Sequence, residues 1–381
     1  MHIRIKKNIL QYSVNGILQK NKKGEGRRQF RVFNRRRLHP ENCLNKTFAI
    51  STSLGLIFVI VLVFIVGPKN ILQMIGHLSI LGFIALFFLS YLALFFSALS
   101  FDNALNVYDA KIGLKHVTNI KLIGYSANYI APSGIFAGFI GGDAIMALIL
   151  KKRSGLEFKR GFSAGLAAKV IEFAMFLLFI YLGLILGFRY FYLPTEIWYL
   201  LLIAAIFVGA VTLVFLINPI IDNRFFTKIL RYLTRFKILN TLIFKVLKHI
   251  NNFEKELHLF YVKGKKYLFL SLFLSLIETA VLIFQIWLLV HYLGVNMGFS
   301  KTLLVFSVSM LVFALPLAPG SAGTYELSQV GLFDILGLGS DVGLAFSLIM
   351  RAINLLMVAI SFFLVPHYGF NFFKKPEEEE I

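Results

Sequence analysis

Six ionisable side chains, Asp143, Lys169, Glu172, Glu278, Glu326 and Arg351, stand in or beside long apolar runs. At the centre of a bilayer each would cost roughly 2.5–3.5 kcal/mol on insertion scales, or on the order of 15 kcal/mol together. That exceeds the usual stability of a whole domain. The set is therefore expected to face inward, towards itself or a wet cavity. Lys169 and Glu172 are three residues apart on one helix face and are expected to pair directly. Asp143 is expected to cap a helix that starts at Ala144. Arg351 carries a planar fork able to hold a phosphate through two bonds. A cap or an internal ion pair is the structural alternative for each residue, but the set gathers around two breaks in the apolar pattern.

Those breaks define the elements. The chain has 381 residues, 58% of them hydrophobic and 15% charged, with 41 Phe. A soluble domain is about 45–50% apolar, so a soluble enzyme, a disordered chain and a fibrous protein are excluded. About 20 apolar residues cross the hydrocarbon core, and runs of that kind occupy 47–67, 76–99, 163–187, 197–217, 267–291 and 342–365. Two further apolar stretches are interrupted. Residues 122–150 contain Pro132 and Gly141-Gly142-Asp143, and residues 302–336 contain Pro316, Pro319, Gly320 and Gly323. Broken backbone at membrane depth persists only where it is buried in protein or faces water. Half-helices opening at such breaks turn positive N-terminal ends inward, which suits a phosphate.

Net charge is +20, and its distribution sets a topology. With the N-terminus inside and both broken stretches folded as re-entrant hairpins, 34 of the 39 Lys and Arg fall in inside loops. Lys69, Arg189 and Lys301 fall outside, and Lys169 and Arg351 remain within the membrane. This is the asymmetry that orients membrane proteins. The hairpins then enter from opposite faces, which is the sequence pointer to a transporter-type site at the midplane. Two ordinary kinked spanning helices are the alternative. Residues 1–46, with 13 Lys and Arg, read as a basic cytoplasmic arm rather than a cleaved signal peptide or a nucleic-acid-binding module. Residues 218–266 carry an apolar pattern through Phe225, Ile229, Tyr232, Leu233 and Phe236, expected to form amphipathic helices on an anionic leaflet or a solvated basic loop. Residues 371–381 form a charged tail.

Several chemistries lack their residues. Neither a phosphate-binding G-x-x-x-x-G-K-[ST] loop nor H-E-x-x-H occurs. Ser321 in Gly-Ser-Ala-Gly has no base at hand, because His77 and His291 fall at helix ends, and it reads as a turn residue. Tyr108-Asp109 and Gly142-Asp143 resemble the pair of an intramembrane aspartyl protease, but Ile140 replaces its first Gly and Asp109 lies in a polar loop. The single cysteine, Cys43, excludes an internal disulfide. No enzyme activity, metal or cofactor is expected.

The run Asn128 to Asp143, the run Pro316 to Glu326 (PLAPGSAGTYE) and Arg351 resemble the flippase-like family of the lysylphosphatidylglycerol synthase transmembrane region, over roughly residues 45–370. Met146 departs from an Arg that the family often has there, and Lys169 and Glu172 match its charged pair in the following helix. The resemblance implies a flippase-type domain for an aminoacyl-phospholipid or, by analogy with relatives that stand beside glycosyltransferases, a lipid-linked sugar. The combined expectation is an all-α polytopic protein of the cell membrane, with both termini cytoplasmic, about six spans and two opposed re-entrant hairpins in an inverted-repeat-like order. Asn128, Pro132, Gly141, Gly142, Asp143, Lys169, Glu172, Pro319, Gly320, Gly323, Glu326 and Arg351 are expected around one headgroup cavity. Its expected partners are anionic or phosphate-bearing membrane lipids and a lipid-modifying enzyme. The second reading is a non-catalytic scaffold for a lipid-modifying glycosyltransferase.

Overall fold

The computed structural model describes residues 68–130, 137–221, 264–314 and 319–368, with scattered positions within 60–64 and 227–262. The chain divides into residues 1–45, outside the described residues, and a compact unit over residues 46–381. No strand occurs among the described residues. The helices are α1 (Pro68–Gly76), α2 (Ile80–Asn106), α3 (Leu114–Ile130), α4 (Ala137–Ser154), α5 (Phe158–Tyr190), α6 (Thr195–Ile221), α7 (Lys265–Tyr292), α8 (Phe299–Ala314), α9 (Thr324–Ile335) and α10 (Ser340–Leu364).

Five of these, α2, α5, α6, α7 and α10, are long and apolar enough to cross a membrane. They match five of the six expected runs. The sixth, 47–67, lies outside the described residues apart from Ile60, Val61, Val63 and Phe64. The spans start where local chemistry permits: the Ser79 hydroxyl accepts the Gly82 N–H at 3.0 Å and caps α2. Phe188, Ile203, Phe269 and Phe363 remain exposed, the surface an apolar solvent would cover.

Both broken stretches fold back on themselves. In the first, Gly124 packs on Met146 and Asn128 on Gly142, so α3 and α4 run antiparallel. In the second, Lys301 donates to the Leu336 carbonyl at 2.8 Å, Gln329 donates to Ser309 at 3.1 Å, and the Phe313 and Tyr325 rings lie 4.7 Å apart. That makes α8 and α9 antiparallel too. At 16 and 12 residues, α8 and α9 reach only about 24 Å and about 18 Å at the usual helical rise. Neither matches the roughly 30 Å hydrocarbon core alone.

Polar side chains fix helix pairs where apolar contact alone would let them slide. Gln285 on α7 donates to the Leu86 carbonyl at 2.9 Å and to Ser90 at 2.6 Å. Asn103 at the other end of α2 donates to the Tyr267 carbonyl at 2.6 Å and to Ser271 at 2.8 Å. A Cβ on Gly183 of α5 would lie 2.5 Å from the Leu303 carbonyl oxygen, so α5 and α8 approach backbone to backbone there.

Tyr108, Arg153, Lys159, Pro219, Glu256, His258 and His367 meet at one end of the bundle. Tyr108 donates to the Glu256 carbonyl at 2.9 Å, Lys159 meets Glu256 at 3.3 Å, and Arg153 donates to the His367 carbonyl at 3.3 Å. The first hairpin has its open end here, and the second has its open end at the opposite end of the bundle, where Lys301 bonds Leu336. The layout is a span, a hairpin and a span (α2 to α5), then α6, then a span, a hairpin and a span (α7 to α10). Of the 218–266 stretch, Leu257, Phe260 and Tyr261 pack into the first-hairpin end of the core. Tyr232 is exposed, while Phe225, Ile229, Leu233 and Phe236 lie outside the described residues.

Candidate functional site

A cavity of about 390 Å³ opens between the hairpins and the spans. Its lining includes the apolar side chains Phe173, Phe176, Phe207, Phe215, Leu282, Met310, Phe313 and Met350. Interspersed with them are the polar and charged side chains Ser90, Ser97, Lys121, Tyr125, Asn128, Tyr129, Lys169, Glu172, Thr212, Glu278, Gln285 and Asn354.

Helical spacing places the polar residues. Lys121, Tyr125, Asn128 and Tyr129 stand at i, i+4, i+7 and i+8 on α3 and so share one face. Glu172 and Lys169 come from α5, Glu278 from α7 and Asn354 from α10. The ion pairs connect different helices. Lys169 of α5 pairs with Asp143 of α4, and Lys121 of α3 lies 3.4 Å from Glu172 of α5, whose carboxylate also accepts the Ser97 hydroxyl at 3.1 Å. Lys169 thus takes Asp143 as a partner across helices. Glu172, expected as its direct partner on the same face, is held by Lys121 and Ser97 and still feels the Lys169 charge. Asp143 does not cap a helix: α4 starts at Ala137, and Asp143 sits in its interior, fully buried. Lys121, assigned to an inside loop by its surroundings in the sequence, is buried in α3.

The remaining candidates separate into two groups. Asn128 lines the cavity and accepts the Gly142 N–H at 2.7 Å. A Cβ on Gly142 would lie 2.2 Å from the Gly124 carbonyl oxygen, whereas one on Gly141 would meet nothing within 4 Å. The close approach needs Gly142 alone. Pro132 lies outside the described residues. In the second hairpin Pro319 and Gly320 form a short 3-10 turn, and a Cβ on Gly320 would sit 3.3 Å from the Tyr129 ring. The second hairpin's tip thus meets the inner end of α3. Gly323 has φ +82°, the left-handed region that glycine occupies freely.

Glu326 is fully buried and uses both oxygens: one accepts the Gly323 N–H at 2.8 Å and the other pairs with Arg351 Nε. Neither Glu326 nor Arg351 is among the residues lining the cavity. They reach it through Tyr129, whose phenol interacts with Arg351 and Asn354. Tyr125 donates to Asn354 at 3.0 Å.

Lys121, Tyr125, Tyr129 and Asn354 were not singled out from the sequence, and Glu278 was noted only as a membrane charge. The four-residue rhythm of α3 carries the signal for the first three. The stripe Ser271, Ser275, Glu278, Thr279 and Gln285, all buried on α7, carries it for Glu278. Asp109 is exposed in the turn after α2, while Asp143 is sealed beside Lys169, so the two do not form a protease dyad. Among the described residues no group of three or more His, Cys, Asp or Glu is placed to hold a metal ion.

A model of the lysylphosphatidylglycerol synthase TM region matches residues 50–361. A UPF0104 membrane protein of Methanothermobacter thermautotrophicus is 26% identical over 260 residues, 65% of this chain and 72% of the relative. A second from that organism is 22% identical over 329 residues, 84% of this chain and 95% of the relative. A UPF0104 membrane protein of Methanocaldococcus jannaschii is 24% identical over 257 residues, 63% and 75% of the two chains. No solved structure matches. With spans, paired hairpins and a charged cavity on one side and a match across most of the chain on the other, this multi-pass membrane protein belongs to the lysylphosphatidylglycerol synthase transmembrane-region family.

Proposed function

We propose that this protein moves a polar or phosphate-bearing lipid across the cell membrane, acting as a carrier and not as an enzyme. The observation that carries this reading is the cavity itself, whose lining combines charged side chains from α3, α5 and α7 with many apolar ones, chiefly from α5, α6 and α8. Its volume falls in the range of small-ligand sites. It suits a headgroup, while acyl or prenyl tails stay in the bilayer. Both hairpins act as re-entrant segments, and both termini face the cytoplasm with the basic end of the bundle. The cargo class is an aminoacyl-phospholipid or a lipid-linked sugar. The headgroup contacts belong to Lys121, Asn128, Lys169 and Glu172, with Glu326 and Arg351 holding the second hairpin against α10.

One observation favours the scaffold reading: the Glu326–Arg351 pair is satisfied within the protein and leaves no charge for cargo. Reconstitution separates the two. In vesicles with a fluorescent-headgroup phospholipid in one leaflet, the protein should make a second fraction of the probe accessible to a membrane-impermeant quencher, and Lys121→Met should slow this while the protein stays folded. A folded wild type that moves no lipid, yet retains a bound glycosyltransferase on purification, would establish the scaffold.

A further inference from the structure

Three carboxyls and two ammonium groups share the polar side of the bundle. Asp143 is matched by Lys169 and Glu172 by Lys121. Glu278 is left over. It is 4% exposed and lines the cavity, and among the described residues no basic side chain stands within salt-bridge distance of it. Its Oε2 is buried without a hydrogen-bond partner, and the nearby Ser97 hydroxyl is donated to Glu172. What it faces is another carboxyl: Glu172 of α5 and Glu278 of α7 line the same cavity, close enough to act on each other's charge. Two carboxylates this close repel, and a buried acceptor without a donor is costly. A single proton between them removes both penalties by turning one oxygen into a donor for the other.

The other elements packed around the pair leave that arrangement intact. α3 brings Lys121 and Tyr125, α4 brings Asp143 and α5 brings Lys169. α2 offers the Ser90 and Ser97 hydroxyls, α6 Thr212, α7 Gln285, α8 Met310 and α10 Asn354. With a proton on the pair, the two lysines balance the remaining two carboxylates. Without it, the site carries one excess negative charge.

We propose that Glu278 and Glu172 together form a proton-binding site in the wall of the cavity, and that release and recapture of this proton accompany headgroup entry and exit. The second half rests on the lipid-moving function proposed above. The step is an acid dissociation: the carboxyl O–H bond breaks, the electron pair stays on the carboxylate, and the proton leaves through the cavity to water. The site's net charge then changes by one, so a headgroup's affinity for it differs between the two states, which is what coupling requires.

Two measurements on the full chain in vesicles test this. Infrared spectroscopy near neutral pH should show the carbonyl stretch of a buried protonated carboxylic acid, lost in Glu278→Gln and shifted in Glu172→Gln, its hydrogen-bond partner. Absence of that band from the wild type overturns the site without any variant, as does its persistence unchanged in both variants. Movement of a fluorescent-headgroup phospholipid should respond to a pH difference across the vesicle wall in the wild type and lose that response in Glu278→Gln. A variant that moves lipid with the wild-type response overturns the coupling. If the band behaves as expected but the wild type moves no lipid at any pH, the proton site stands and the lipid-moving function, with its coupling, falls.

Discussion

The two hairpins repeat one plan and differ in how they satisfy it. Each carries a carboxylate on its second helix, and each hands that carboxylate to a base in the following span: Asp143 to Lys169, 26 residues on, and Glu326 to Arg351, 25 residues on. Three residues past each base, a polar side chain lines the cavity, Glu172 in one half and Asn354 in the other. Glu326 spends its second oxygen on the Gly323 N–H at its own helix start. Asp143 sits deeper in its helix, where backbone N–H groups are already used, and its Oδ1 is buried without a partner. The second hairpin is thus locked to its span, while the first keeps an unmet acceptor and places a lysine and an asparagine in the cavity. The same supersecondary plan yields a fixed half and a half equipped for exchange.

Removing the base should expose that difference most. Lys169→Met leaves a wholly buried carboxylate with no cation, and breaking a buried pair in this way costs about 3–5 kcal/mol. Arg351→Met leaves Glu326 with its backbone donor, so its loss should be smaller, about 1.5–3 kcal/mol for one charged hydrogen bond. Thermal unfolding in detergent compares the two directly. Adding Asp143→Asn to Lys169→Met should recover most of the loss. Equal destabilisation by the two single variants would show that the Gly323 contact does not distinguish the halves.

This pairing was only partly legible in the sequence. The positions of the breaks were, because proline and glycine interrupt apolar runs in a way that helix chemistry cannot ignore, and α3/α4 and α8/α9 meet at them. Five of the spans follow from apolar length alone. The partners of the charges did not follow. Lys169 and Glu172 satisfy the local rule for a pair, and nothing local says that Asp143 and Lys121 approach from other helices. Lys121 was hidden because Lys115 and Lys111 precede it in a polar stretch, and hydropathy averages over a window while burial acts on one face. Arg351 was expected in the cavity as a headgroup clamp. Its place behind Tyr129 depends on how the second hairpin leans on α10, which no spacing encodes.

The backbone contact inside the first hairpin gives the next effect. Gly142→Ala would drive a methyl into the Gly124 carbonyl oxygen at 2.2 Å and the Asn128 side chain at 2.6 Å. Overpacking of that kind costs typically 1–3 kcal/mol, and it should also displace Asn128 and slow lipid movement. Gly141→Ala, one residue away with nothing within 4 Å, should be neutral or stabilising by about 0.4–1 kcal/mol. In the second hairpin Gly323→Ala meets strain from φ +82°, at about 1–2 kcal/mol. Melting curves for the three variants would rank them Gly142, Gly323, Gly141. A harmless Gly142→Ala would mean that α3 and α4 separate readily and that the first hairpin is not held at its waist.

The smallest effect concerns the open ends of the hairpins. The second is closed by a bond from Lys301 to the Leu336 carbonyl. The first is flanked by Lys159, which meets Glu157 at 3.0 Å and Glu256 at 3.3 Å and so ties the start of α5 to the 254–262 segment. The hydrogen bond from Lys159, with its charge, holds the Glu157 carboxyl below the usual carboxylate range. A depressed pKa contributes stability above the unfolded-state value and loses it as pH falls through the folded-state value. Wild type should therefore exceed Lys159→Ala in stability at neutral pH by a small margin, because the Lys159–Glu157 pair is exposed. That margin should close on acidification through the carboxylate range. Hydrogen exchange of the 254–262 amides is the sensitive readout, since it reports local opening that global melting averages away. Faster exchange there in Lys159→Ala at neutral pH but not at acid pH would assign the docking of this segment to the charge bridge. Exchange unchanged at both would assign it to the apolar anchors Leu257, Phe260 and Tyr261 alone.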